Sequence, residues 1–277
     1  MRGWIAVFFV FLFFTGCSAQ SKTDDKGTKS LYLELEKKYG ISIVFEQLEK
    51  KFPAYWLEPP ILVTYEPLVF QDLSEIYKPI KDALSQYPSN VIKKNLRYIG
   101  LAKKLYFYGA FYGATYTQTD PERNSIFLSK DSDSVNLNSY EYIFDSIHHE
   151  FSSILMKRYP FPEAEWRQAN TKTFRYKYED QKIPGLEAMK NQEHLQKEES
   201  PFVRGFMSDY GMSSLEEDVN VFSGVLFAYP DWMIDLASKH AIIRKKIVIW
   251  LKFYTSIDPA FNNTPLFKKY ASKGLKP

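Results

Sequence analysis

The chain contains very little cysteine and histidine. Cys17 is its only cysteine, so the chain can form no internal disulfide and no thiolate metal site. Histidine occurs four times, at His148, His149, His194 and His240. An excess of one charge is also lacking, because the formal net charge is only +3 at pH 7 and basic residues are scattered among acidic ones. Nucleic acid is therefore not an expected partner.

The N-terminus has the pattern of a secretory signal. Residues 1–3 are a short basic start, and residues 4–14 form an apolar run that is too short to span a bilayer as a helix. The run ends in Phe14-Thr15-Gly16-Cys17, which is similar to a bacterial lipobox with phenylalanine where leucine is more usual. We therefore predict a signal peptide over residues 1–16 and a membrane anchor through lipidated Cys17. The alternative is an ordinary cleaved signal with an incidental cysteine.

Residues 17–30 are small, polar and charged, with no apolar period. This composition predicts a flexible tether between the lipid and the folded domain, which is predicted to span residues 31–277. The pair Asp24-Asp25 is similar to acidic signals that direct some lipoproteins to the cell surface. The expected location is the cell envelope, as an outer-membrane lipoprotein on the periplasmic or the cell-surface face.

The rest of the chain alternates helix and strand signals without an internal repeat. Apolar residues at three-to-four spacing predict helices, and short β-branched or alternating runs predict strands. Prolines interrupt two stretches, 52–67 and 158–199, which are predicted to be irregular. The predicted helices cover residues 31–39, 68–85, 140–157, 213–227 and a pair within 231–254, and the predicted strands cover 41–45, 97–101 and 124–129.

The predicted helix over residues 140–157 carries His149-Glu150-Phe151-Ser152-Ser153. In the H-E-x-x-H motif of zinc metallohydrolases, two histidines four residues apart bind zinc, and the glutamate deprotonates the metal-bound water. Ser153 stands where the second histidine would be, and a neutral hydroxyl is a poor substitute for imidazole on zinc. The sequence therefore contains a degenerate zinc motif.

The chain resembles the zinc-binding metallopeptidase lipoproteins of Gram-negative bacteria, a zincin-type family. The resemblance covers most of the chain after the signal peptide and is carried by residues 38–43, 126–128, 147–151, 205–210, 216–218, 246–248 and 257–258. It implies a zincin-like α+β fold that is mostly helical with a small mixed sheet. It also implies that Glu217 is the third zinc ligand and that Tyr210 helps to hold the oxyanion.

The sequence departs from the family pattern at two positions. Ser153 replaces a histidine ligand, and Val221 stands where a second glutamate would orient the site. Among the other histidines, His148 is expected to be buried in the core, because it is one residue off the ligand face. His194 and His240 are expected to be ordinary surface histidines.

The surviving site residues also have plainer explanations. Glu150 could be satisfied by a backbone amide, and Tyr210 could be a packing residue with a hydrogen-bonded hydroxyl. Glu217 could do no more than cap its helix, since Ser214 three residues earlier is a good N-cap.

Three functions remain open. The leading hypothesis is a catalytically impaired zincin-fold lipoprotein that keeps its cleft as a binding surface, and the resemblance implies a place beside outer-membrane uptake systems for peptides or glycans. The second is a working zinc metallopeptidase with His149 and Glu217 as ligands, an unidentified third ligand, Glu150 as general base and Tyr210 as electrophilic helper. The third is a structural envelope lipoprotein with a vestigial cleft.

Overall fold

The computed structural model describes residues 19–117, 122–131, 139–191 and 201–276. The predicted signal peptide and Cys17 lie outside these residues. Among the helices that are described, none is both long and apolar enough to cross a membrane.

The described residues form ten α-helices, seven strands and five short 3₁₀ turns. The helices are α1 (Ala19–Tyr39), α2 (Phe70–Ser85), α3 (Ser89–Asn95), α4 (Ser139–Arg158), α5 (Glu163–Ala169), α6 (Pro184–Lys190), α7 (Leu215–Ala228), α8 (Pro230–Lys239), α9 (Ala241–Ile257) and α10 (Pro265–Ser272). The strands are β1 (Ser42–Val44), β2 (Thr64–Glu66), β3 (Leu96–Ala102), β4 (Lys104–Phe107), β5 (Ala110–Tyr112), β6 (Ala114–Tyr116) and β7 (Asn124–Ser129). The predicted class, α+β and mostly helical, is confirmed.

The strands form two small sheets. The first has the order β1-β3-β7-β6, in which β1, β3 and β7 are parallel and β6 runs antiparallel to β7. This is the mixed sheet that the resemblance implies. The second sheet, β2-β4-β5, is antiparallel and was not predicted. Its strand β2 lies within the proline-rich stretch 52–67, where a regular element was not expected.

Helix α4 lies at the centre of the fold and packs against α7, α2 and the first sheet. Ile143, Ile147, Phe151 and Ile154 of α4 are at most 1% exposed, so the predicted apolar stripe faces the core. Ser152 and Ser153 are fully buried as well. A helix that is buried on more than its apolar face must satisfy its polar side chains by contacts with neighbouring helices.

Two predicted helix boundaries have a clear local cause. Gly40 adopts a φ of +61°, which ends α1 in the left-handed region that glycine tolerates. Ser214 precedes α7, and its hydroxyl oxygen accepts a hydrogen bond from the Glu217 backbone N–H at 3.2 Å. This cap fixes the first turn of α7 and with it the position of Glu217.

The structure differs from the predictions in two loops. Helix α1 begins at Ala19 and so includes residues 19–30, for which no regular element was predicted. These residues contain no proline, and a helix that is already formed over residues 31–39 can extend at little cost. The stretch 158–199, predicted to be irregular, contains α5 and α6. The domain boundary at residue 31 stays a prediction.

Candidate metal centre

Helices α4 and α7 bring three of the predicted site residues together. His149 and Glu150 lie on α4, and Glu217 lies in the first turn of α7. The Nε2 atom of His149 is 3.2 Å from Oε2 of Glu217 and 4.0 Å from Oε1 of Glu150. Side chains that are far apart in the sequence therefore meet in one small volume between the two helices.

The imidazole of His149 is held in its charged form. Burial opposes the charge, but the hydrogen bond to the adjacent carboxylate of Glu217, with smaller contributions from the nearby carboxyl groups of Glu150 and Asp145, outweighs it and raises the pKa of His149 to about 9. At neutral pH the side chain is then an imidazolium that faces a carboxylate. A metal ion would have to displace the proton before Nε2 could bind it.

Burial also makes Glu150 a weaker acid than usual. It raises the pKa of the Glu150 carboxyl to about 8, the charge of His149 opposes this rise, and the charges of Glu217 and Glu216 add to it. A cation bound beside this carboxyl would favour its charged form, which is the form that a general base needs.

Tyr210 and α6 cover one side of this cluster. The ring of Tyr210 lies 6.4 Å from that of His149, and burial with the nearby charge of Glu217 holds the pKa of Tyr210 well above its usual value of 10. The hydroxyl therefore keeps its proton. Gly185 of α6 lies so close that an added Cβ would be 2.5 Å from Oε1 of Glu217 and 2.8 Å from the Tyr210 hydroxyl.

Ser153, four residues after His149 on α4, contacts Asn220 of α7. The Nδ2 group of Asn220 donates a hydrogen bond to the Ser153 hydroxyl oxygen at 2.6 Å. The Oδ1 atom of the same amide accepts one from the Ser152 hydroxyl. Asn220 is 3% exposed. One amide thus links two buried serines of α4 to α7, and its polar atoms are satisfied.

A second polar group lies beside Ser153. The Tyr116 hydroxyl donates to Oε1 of Glu216 at 2.6 Å, and Nζ of Lys157 is 2.8 Å from Oε2 of the same carboxylate. Glu216 is therefore paired with Lys157 across the two helices, and its pKa is lowered despite burial. This leaves Glu216 as a structural contact between α4 and α7.

The donor set fits zinc only in part. Two donors that bind zinc at about 2.0–2.1 Å with tetrahedral geometry lie about 3.3 Å apart, close to the His149–Glu217 separation. Apart from its 3.2 Å contact with His149, the buried Oε2 atom of Glu217 has no hydrogen-bond partner. However, among the described residues no three His, Cys, Asp or Glu side chains form a group that could hold a metal. The residues do not form the three-ligand set of a catalytic zinc site.

The remaining histidines offer no third ligand in the described part of the chain. His148 is fully buried, stacks on Phe227 with ring centres 4.0 Å apart, and its Nδ1 is 2.6 Å from the Tyr87 hydroxyl, which confirms it as a core histidine. His240 lies at the junction of α8 and α9. His194 lies outside the described residues.

Asp145, Asn220 and Gly185 contribute to the site but were not identified from the sequence. Asp145 lies one helical turn before His149, and burial raises the pKa of its carboxyl to about 6. Its i−4 spacing from His149 could have indicated that it shares the ligand face. No sequence signal places Asn220 opposite Ser153, or Gly185 on Glu217, because both contacts are between distant segments.

Asp218 holds α7 from the side of the core. Its Oδ2 accepts hydrogen bonds from Nζ of Lys246 at 2.7 Å, the Tyr176 hydroxyl at 2.7 Å and the Trp166 indole N–H at 2.8 Å. Lys246 is fully buried and also donates to the Gly205 carbonyl. This satisfied ion pair anchors the turn of α7 that presents Glu217.

A helix with an adjacent His-Glu pair that meets a glutamate on a second helix, beside a small mixed sheet, is the arrangement expected from the resemblance to zinc metallopeptidases. Residues 113–256 match the family described as "Putative zinc-binding metallo-peptidase", and the chain belongs to this family.

A solved structure has the same fold. The crystal structure of a "putative zinc-binding metallo-peptidase" from Bacteroides caccae is similar with a TM-score of 0.51 and 16% sequence identity, over 94% of this chain and 93% of that chain. No curated protein matches the chain. The family resemblance and the fold expected from it are confirmed.

Proposed function

We propose that this protein is an envelope lipoprotein whose metallopeptidase-type cleft binds a ligand without cleaving it. One observation carries the proposal: Ser153, which stands where the H-E-x-x-H motif has its second histidine, is fully buried and accepts a hydrogen bond from Asn220. Its oxygen is used in a contact between helices. The site therefore has two metal-type ligands, whereas catalytic zinc normally has three protein ligands and a water.

The surroundings of the site support the same proposal. Val221, where the family's orienting glutamate would be, is a half-buried apolar residue that packs against the core. Outer-sphere partners of a metal ligand typically contribute about 10- to 100-fold in affinity or activity.

The metal content of the protein without its signal peptide tests this proposal. We expect no stoichiometric zinc in the native chain after dialysis against zinc-containing buffer. We expect zinc in a Ser153→His, Asn220→Ala variant, because the second change removes the amide and makes room for the larger ring. Loss of that zinc on a further His149→Ala change would assign the site. Chelator-sensitive peptide cleavage by the native chain would overturn the proposal.

The proposed anchor and role rest on the sequence. Lipid on Cys17 would place the domain at the envelope, and a cleft that binds but does not cleave would suit a component of a peptide or glycan uptake system. Labelling cells with a radioactive fatty acid tests the anchor. We expect label on the native chain and none on Cys17→Ser, whereas equal labelling of both would contradict it.

The second candidate function is a working zinc metallopeptidase. The 3.2 Å separation of His149 and Glu217, which matches two ligands on one ion, favours it. Stoichiometric zinc in the native chain, lost on His149→Ala, would support this candidate, as would peptidase activity lost on Glu150→Gln. A purely structural role with a vestigial cleft predicts instead that His149, Glu150 and Glu217 variants leave every cellular phenotype unchanged.

A further inference from the structure

A basic cleft lies outside the candidate metal centre, formed by α5, the turn that follows it and α9. Its volume is about 560 Å³, within the range of pockets that bind small molecules. Four cationic side chains line it, Arg167, Lys172, Arg175 and Lys245, together with one carboxylate, Glu179. The cleft therefore concentrates positive charge in a chain whose formal net charge is only +3.

Only one of these cations is neutralised. Arg167 donates to Glu163 through Nε at 2.8 Å and to Glu179 through Nη1 at 2.9 Å, so both carboxylates are used. The other three cations have no carboxylate partner among the residues that the structure describes. Unneutralised cations around one concave space attract an anion more strongly than the same charges on a convex surface.

Arg175 is oriented before any ligand arrives. Its Nη1 donates to the backbone carbonyls of Lys172 at 3.1 Å and Phe174 at 2.6 Å. A guanidinium has five N–H donors in a fixed plane, so the rest of the fork is left for a carboxylate. Lys245 is held only by a 3.4 Å contact with the Gln168 carbonyl and can turn toward the same anion.

The uncharged part of the cleft has one apolar surface and one unpaired acceptor. Phe174 is half-buried and packs edge-on against Tyr176, with ring centres 4.9 Å apart. The Tyr176 hydroxyl donates to Asp218 and accepts from Nδ2 of Asn170 at 3.4 Å, a contact long enough for the amide to turn. The buried Oδ1 of Asn170 then has no hydrogen-bond partner. A ligand with an N–H group would satisfy it after a small rotation of the side chain.

We propose that this cleft binds the carboxyl-terminal end of a peptide. Such an end carries a carboxylate for Arg175 and Lys245, an amide N–H for Asn170 and a side chain for the face of Phe174, all within a few bonds. An inorganic anion lacks the apolar part. The cleft contains no residue of the candidate metal centre, so the inference does not depend on whether zinc binds there.

Isothermal titration calorimetry at low salt tests the proposal with two small probes, N-acetyl-alanyl-leucine as the free acid and as its carboxyl-terminal amide. We expect the free acid to bind at least about tenfold more tightly, because only the acid has a charge for the cations. Equal affinity of the two probes would overturn the proposal. Galacturonate that binds more tightly than the peptide acid would overturn the peptide assignment.

Paired variants locate the site. The double variant Arg175→Gln, Lys245→Gln removes two exposed cations. Its affinity for the free-acid probe is expected to fall by at least about tenfold, since both charged hydrogen bonds are lost. Lys268→Gln on α10 is the matched control, because Lys268 is also exposed and lies outside the cleft. The control should bind as the native chain does. Unchanged binding by the double variant would contradict the site.

Discussion

The hydrogen bond between Asn220 and Ser153 can be tested by removing its two partners separately and together. Ser153→Ala leaves the Nδ2 group of Asn220 buried without an acceptor, which should lower the free energy of unfolding by about 1–3 kcal/mol. Asn220→Leu keeps a similar side-chain volume but removes both linking hydrogen bonds. Ser152 can then donate to the His149 carbonyl, which is already 3.0 Å away.

The double variant Ser153→Ala, Asn220→Leu should be less destabilised than the sum of the two single variants. With both polar groups gone, no buried donor is left unpaired, and neighbouring residues in contact typically couple by about 0.5–3 kcal/mol. The free energies of unfolding of the two single variants and the double variant are measured by urea unfolding, followed by tryptophan fluorescence, in buffer that contains a chelator. Ser85→Ala removes an exposed hydroxyl that contacts its own helix, and should change stability by at most about 0.5 kcal/mol.

Additive effects of the two substitutions would refute the reasoning, because they would mean that the side chains do not interact. A second result would also refute it. If the chelator itself lowered the stability of the native chain, a bound metal rather than the serine–asparagine contact would be holding α4 to α7.

Three further predictions concern the scaffold around the site. Lys246→Met should lower the free energy of unfolding by about 3–5 kcal/mol, because Asp218 would be left buried without its cation. Gly185→Ala should lower the free energy of unfolding by about 1–3 kcal/mol, since its Cβ would overlap Oε1 of Glu217 and the Tyr210 hydroxyl and force these side-chain ends to shift. Asp72→Asn should lower the free energy of unfolding by about 1–3 kcal/mol at neutral pH, and this difference from the native chain should shrink at acid pH.

The acid dependence of the Asp72 variant follows from the sign of its pKa shift. Burial alone would raise the pKa of Asp72, but hydrogen bonds from Lys130 and the Val69 N–H outweigh it and lower the pKa from its ordinary value of 3.8. The stability that the carboxylate contributes is therefore present above 3.8 and is lost as the pH falls through the lower, folded-state value. A deficit that grew below pH 3.8 would contradict this assignment.

Matched controls separate these effects from general sensitivity to substitution. Lys239→Met breaks an exposed pair with Asp235 and should cost at most about 1 kcal/mol. Gly27 lies in helix α1, and a Cβ added there would meet nothing within 4 Å, so Gly27→Ala should not lower the free energy of unfolding. If Lys246→Met and Gly185→Ala lower the free energy of unfolding no more than these controls do, the contacts assigned to Lys246 and Gly185 would be wrong.

The sequence predicted the parts of the fold that depend on local pattern. The stripe on α4 and the capping of α7 by Ser214 were predicted from spacing alone, because a helix face and an N-cap are set by residues within four positions of each other. The same reasoning placed His148 in the core. Its one-residue offset from His149 turns it away from the ligand face.

Contacts between distant segments could not be predicted in this way. The strand β2 was missed because its pairing with β4, rather than its own proline-rich neighbourhood, makes it regular. The helical start of α1 was missed because polar residues without proline are compatible with both a tether and a helix. Asn220 has no distinctive local pattern, and only the packing of α7 on α4 places it opposite Ser153.

The retained His149–Glu217 pair does not by itself indicate catalysis. An imidazolium and a carboxylate 3.2 Å apart between two buried helices stabilise their contact without a metal, and removing either would leave the other charge partly buried. The Ser153–Asn220 hydrogen bond joins the same two helices one turn further along α4. The contact between α4 and α7 is therefore made by side chains that need no ion, and the His149–Glu217 pair can be explained by the packing of the two helices as well as by metal binding.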